Sequence, residues 1–78
     1  MKKIKEEMCF KEMVGHRLRV ARVEARMTQE SLARASGVSV MTIANTERGE
    51  SSPTFENVYR LAEAIGCTPN DLCGWELR

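Results

Sequence analysis

The chain is 78 residues long, 42% hydrophobic and 29% charged, and its twelve Lys and Arg against eleven Asp and Glu leave a net charge of +1 at pH 7. A chain of this length buries only roughly 60% of its unfolded surface, which suits one compact core and disfavours the deep cleft of a large cofactor enzyme. No apolar run approaches the roughly 20 residues that span a bilayer, and the opening MKKIKEEMCF has charges where a signal peptide carries its apolar stretch, so a cytoplasmic protein without a membrane partner is expected.

Residues 1–13 read as an N-terminal extension. If helical, it places Met1, Ile4, Met8 and Cys9 on one face, about 90° round from Val14, Leu18 and Ala21 at 3.6 residues per turn. The two stripes do not merge, so either a helix breaks near Gly15 or the segment packs on something other than the main core. A loosely packed extension and an arm carrying Lys2, Lys3 and Lys5 toward DNA or a second copy both fit. From 14 to 74 apolar residues recur at spacings of three and four, β-branched residues do not alternate, and an all-α domain is predicted, followed by a tail at 75–78.

The predicted helices cover 15–25, 29–36, 40–48, 55–65 and 69–73. Thr28, Ser39 and Thr54 each precede an apolar-periodic run and offer a hydroxyl to an orphan helix N–H. Thr68, Pro69 and Asp71 open the last short helix, since proline is tolerated at the first helical position. Gly37, Gly49, Gly66 and Gly74 mark ends. In the fourth helix Val58, Leu61, Ala62 and Ile65 form the core stripe.

The informative stretch is Gln29 to Arg48, QESLARASGVSVMTIANTER, two short helices joined by a turn at Ser36-Gly37-Val38-Ser39. Ala33 is small where the pair must cross closely. Gly37 supplies a left-handed backbone that a residue with a Cβ adopts at a cost of about 1 kcal/mol or more, and Leu32, Val38 and Ile43 close the space between the helices. This is a helix-turn-helix arrangement, in which the second helix stands out from the body and can enter a major groove.

Around this core, Val14-Gly15, Arg22, the T-Q-E-S-L-A segment at 28–33, Gly37-Val38-Ser39, Ile43, Glu47-Arg48-Gly49, Pro53 and the closing L-A-x-A-I-G-C-T-P-x-D-L at 61–72 stand in register. With these residues the chain resembles the XRE, or lambda-repressor-like, helix-turn-helix family of DNA-binding regulators. The resemblance implies a compact five-helix lambda-repressor-like domain. Its implied function is that of a sequence-specific transcriptional regulator, a repressor, placing helix 40–48 in the major groove of double-stranded DNA as a homodimer on a pseudo-palindromic operator. Carried over by position, Val40, Met41 and Asn45 face base edges; Gln29, Ser39, Thr42 and Arg48 lie near phosphates; Arg22 and Glu47 form a structural ion pair.

Three departures qualify the transfer. Arg26 stands where such sequences usually have glycine, so the first helix runs on or ends in a strained turn. Thr46 replaces an apolar residue and is expected to bond back to its own helix. Val40 and Met41 lack the bidentate donors that read guanine; apolar contact with thymine methyls and an Asn45 pairing with adenine would favour an A·T-rich operator.

The +1 conceals a segregation: residues 15–34 hold five arginines against two glutamates, whereas residues 54–78 hold two arginines against four acids. A basic face of that kind steers a phosphate backbone. Cys9, Cys67 and Cys73 form no CxxC pair, so reduced thiols, no metal site and no cofactor are expected. His16 is the only histidine and has no nucleophile and orienting group in pattern around it, so no enzyme is expected. One recognition helix reads too short a word for selectivity in a genome, which calls for two copies. The candidate pairing surfaces are Leu72, Trp75 and Leu77, or Met1, Ile4 and Met8. The rival function is an antitoxin or protein-interaction module of the same fold, with a toxin or other protein as its main partner.

Overall fold

Five helices follow one another with short connections: α1 (Phe10–Glu24), α2 (Gln29–Ser36), α3 (Val40–Glu47), α4 (Phe55–Ile65) and α5 (Pro69–Cys73). The computed structural model describes residues 9–73, so Met1, Ile4, Met8, the three N-terminal lysines, Gly74, Trp75 and Leu77 lie outside the described residues. Each hydroxyl start signal makes its bond. Thr28 Oγ1 accepts the Ser31 N–H at 2.9 Å, Ser39 Oγ that of Thr42 at 3.1 Å, and Thr54 Oγ1 that of Asn57 at 3.0 Å. At α5 the exchange is reciprocal: Thr68 Oγ1 accepts the Asp71 N–H at 3.2 Å while Asp71 Oδ2 accepts the Thr68 N–H at 2.9 Å. The bonds from Thr68, its backbone amide first and its side chain second, hold the Asp71 carboxyl below its ordinary pKa.

α1 corrects the predicted boundary. It begins at Phe10 rather than 15, with Glu12 Oε1 accepting the Cys9 N–H at 3.3 Å, and it runs unbroken through Gly15. That glycine serves packing. A Cβ on it would fall well inside van der Waals contact of the Thr46 carbonyl oxygen and 3.1 Å from that of Glu47, so α1 and α3 touch backbone to backbone at this point. At its other end α1 stops in a strained turn. Arg26 takes φ 60°, the Arg26 N–H donates to Val23 O at 2.9 Å and the Met27 N–H reaches back to Arg22 O at 3.1 Å, the bonding of a Schellman cap with arginine where glycine is usual. α3 is one residue shorter than predicted, because Arg48 closes it as the cap.

α1 lies against α3 and α5, α2 against α3 and α4, and α4 against α5. Leu18, Leu32, Val38, Ile43, Val58, Leu61, Ala62 and Leu72 meet in one core, and each fully buried Leu or Ile there contributes roughly 1.5–3 kcal/mol. Leu72 is 1% exposed, which removes it from the candidate pairing surfaces: Leu72 is the core contact of α5. Thr46 is equally buried, and its hydroxyl has no hydrogen-bond partner, so the expected bond back to its own helix is not made. No helix among the described residues is long and apolar enough to cross a membrane.

Candidate nucleic-acid interface

α3 is half core and half surface. Ile43 and Thr46 face inward, fully buried, while Val40 is 37% and Met41 70% exposed at its first turn. Leu32 and Val38, both buried, pack beneath it, and Gly37 turns the chain from α2 into α3 at φ 80°. The small Ala33 is partly buried against the core.

The far end of α3 is held by a polar cluster. Arg22 Nε donates to Glu47 Oε2 at 2.6 Å and its Nη2 to Glu47 Oε1 at 3.0 Å, a bidentate pair whose side chains are 13% and 5% exposed. The remaining guanidinium nitrogen donates to Met27 O at 2.8 Å, the carbonyl just after the strained Arg26. Gln29 Nε2 adds a bond to Glu47 Oε1 at 3.0 Å. One carboxylate thus ties the end of α1, the start of α2 and the end of α3 together. The Glu47 hydrogen bond outweighs the opposing effect of burial and raises the Arg22 pKa.

Most of the remaining site residues lie on the open side. Ser39 donates its hydroxyl hydrogen to Thr42 Oγ1 at 2.9 Å, which leaves the Thr42 O–H free to donate outward. Arg48 Nη2 donates to Asn45 Oδ1, and Arg48 also pairs with Glu50, Nε to Oε2 at 3.2 Å, with both side chains more than half exposed. Asn45 therefore presents its amide N–H groups away from that bond. The structure places Val40, Met41, Thr42 and Asn45 on α3 and Arg48 at its C-terminal cap. Gln29 sits apart from them in the Glu47 cluster, with one amide hydrogen and its own backbone N–H unengaged by that bond. Of the five arginines counted in 15–34, Arg22 is turned inward, while Arg17, Arg19, Arg26 and Arg34 are exposed.

A helix-turn-helix family model, HTH_3, matches residues 18–72, from the first buried leucine of α1 to Leu72. The chain belongs to the helix-turn-helix family. Within that family it is similar to the HTH-type transcriptional regulator DicA of Escherichia coli K12, 38% identical over 56 residues, which are 72% of this chain and 42% of DicA. It is also similar to repressor protein C2 of Salmonella phage P22, 33% identical over 66 residues, 85% of this chain and 31% of that protein. The chain thus spans less than half the length of these two relatives. Among solved structures, the P22 c2 repressor in complex with a synthetic operator superposes with a TM-score of 0.71 at 35% identity, covering 77% of this chain and 91% of that one. The restriction-modification controller protein C.AhdI of Aeromonas hydrophila gives 0.76 at 32% identity, covering 80% and 94%.

Sequence reading missed the backbone contact at Gly15 and an exposed aromatic pair on α4, Phe55 and Tyr59, 79% and 54% exposed. A glycine inside the Val14–Leu18 stripe signals the first. The second is signalled by two aromatics that fall outside the Val58–Leu61–Ala62–Ile65 stripe.

Proposed function

We propose that the chain is a DNA-binding transcriptional regulator, a repressor acting in the cytoplasm, that places 40–48 in the major groove and binds a pseudo-palindromic operator as a homodimer. The observation that carries this reading is the division of α3: its last turn is clamped by Arg22, Gln29 and the Gly15 contact, while its first turn offers a 70% exposed Met41. A rigidly held helix with an unpartnered outer face is what a groove reader requires. Val40 and Met41 then meet thymine methyl groups, and the Asn45 amide donates to an adenine edge. Thr42 and Ser39 at the first turn, Arg48 at the last and Gln29 at the start of α2 face phosphates. Arg48 exchanges Glu50 for a phosphate at little cost, because an exposed ion pair is worth only about 0–1 kcal/mol.

The test is selection from random duplex DNA followed by salt-dependent titration of the selected site. Expected are A·T-rich inverted half-sites, affinity falling linearly with salt on logarithmic axes, and at least about tenfold weaker binding by an Asn45→Ala, Arg48→Ala double variant. Equal affinity of variant and wild type, or a flat salt response, overturns the proposal.

A further inference from the structure

The outer face of α4 carries a pattern that the DNA-reading surface does not use. Phe55 and Tyr59 are the most exposed aromatic pair of the described residues, and at 100° per residue they stand 40° apart on one side of the helix. Beside them, about 100° further round, run Glu56 and Arg60, joined at 2.8 Å and 70% and 47% exposed. Val58, Leu61 and Ala62 are buried, on the stripe about 90° round from the aromatics and opposite the charged row. The remaining exposed large apolar residues lie on α1, as Phe10, Val20 and Val23, and on the recognition face of α3.

We propose that this face pairs with the same face of a second copy, α4 against α4 in antiparallel register about a two-fold axis. The inference rests on the homodimer reading above and names its surface. Two-fold symmetry makes an interface isologous, so that residue i meets j and j meets i. In an antiparallel helix pair each longitudinal row meets its own copy with direction reversed. An axis midway between positions 57 and 58 therefore brings Phe55 to within one residue's rise, about 1.5 Å, of the level of the second copy's Tyr59, and Glu56 equally near the level of its Arg60. One axis serves both rows to within that offset, because both consist of residues four apart and the rows start only one residue from each other. The aromatic row buries against itself and the charged row pairs plus to minus. A partner unrelated to this chain would share neither the register nor the charge order.

The four rings of such a pair cover on the order of 500 Å², well short of the roughly 1,200–2,000 Å² of a stable interface. Pairing in free solution is accordingly weak, and two half-sites on one duplex supply the effective concentration that completes it. α4 packs on α2 and α5, and none of the four paired residues belongs to α3.

The experiment uses Glu56→Arg and Arg60→Glu, made singly and then mixed. Each single variant places like charges across the axis and is expected to sediment as a monomer at concentrations where the wild type associates. Each also loses the roughly 10²-fold advantage of an inverted repeat over an isolated half-site. An equimolar mixture restores both, since each chain then meets the opposite charge in its partner. The intrahelical pair cannot produce this result, because it is broken in both chains. A Phe55→Ser, Tyr59→Ser variant stays monomeric in any mixture. A mixture that associates no better than its components, or an aromatic variant that associates like wild type, overturns the proposal and places pairing elsewhere. Isolated half-site binding reports separately on α3: it fails in every protein if the DNA reading is wrong, while sedimentation without DNA still decides the pairing surface.

Discussion

Gly15→Ala separates two physical effects of opposite sign. Inside a helix, alanine in place of glycine is worth about 1 kcal/mol of added stability. At this position the new methyl group meets the Thr46 and Glu47 carbonyl oxygens of α3, which are backbone atoms and cannot rotate away. α1 and α3 must move apart, which loosens the packing between Leu18 and Ile43, both essentially fully buried. Overpacking of a tight core costs about 1–3 kcal/mol, and rigid backbone on both sides puts this case at the upper end. The net expectation is a loss of about 2 kcal/mol after the propensity gain. For a domain of this size each kcal/mol shifts Tm by about 4–8 °C, so the variant melts about 10 °C lower. Thermal and urea denaturation followed by circular dichroism measure this directly. An unchanged or raised Tm would falsify the backbone contact, because propensity alone predicts a rise.

Arg26→Gly relieves a left-handed residue and is expected to stabilise by about 0.5–1 kcal/mol, after the larger unfolded-state entropy of glycine is subtracted; an equal or lower urea midpoint contradicts the strained turn. Thr46→Val removes a buried hydroxyl that has no partner and should raise stability by about 1 kcal/mol in the same assay. Arg22→Ala leaves Glu47, 5% exposed, with Gln29 as its remaining donor, and should cost about 3 kcal/mol. Because the Asp71 pKa is depressed in the folded chain, its contribution is present above the ordinary carboxyl range and is lost as pH falls through the depressed value. Asp71→Asn should flatten the acid limb of the stability curve, and an unaltered limb counts against the Thr68 bonds.

Most of the helix starts were legible because a single hydroxyl decides each one. Thr28, Ser39 and Thr54 stand just before periodic runs and make the bonds their chemistry implies. The start of α1 is not legible, because Cys9 is no such signal and Gly15 reads as a breaker when seen one element at a time. Only the neighbouring helix shows why a glycine belongs there. Arg26 was legible only as an alternative: its place at a usual glycine position left a longer helix or a strained turn, and the Schellman bonds together with Arg22 holding Met27 O decide for the turn. The aromatic pair on α4 is not legible by hydrophobic periodicity, which ranks residues by their likeness to a core stripe. Residues off the stripe, which carry the surface, get no weight from it. Charge counting likewise credited Arg22 to a basic face although its guanidinium is turned onto Glu47.

These contacts divide the molecule by function along α3. Its last turn is fixed three times over: by the backbone approach at Gly15, by the Arg22 fork and by Gln29. Partly buried ion pairs of this kind are a poor source of net stability, since desolvation offsets much of the attraction. What the fork supplies is direction, because two parallel N–H donors accept a carboxylate in one orientation only. The same guanidinium bonds Met27 O, so the angle between α1 and α2 and the angle of α3 are set by one group. Among the described residues no comparable clamp holds the first turn of α3, where Val40 and Met41 are exposed and the side chains of Ser39 and Thr42 bond only within the Ser39–Thr42 pair. Substitutions at 40 and 41 therefore change what the helix presents without changing how it is held. Substitutions at 15, 22 or 47 change its orientation and the stability of the whole core together.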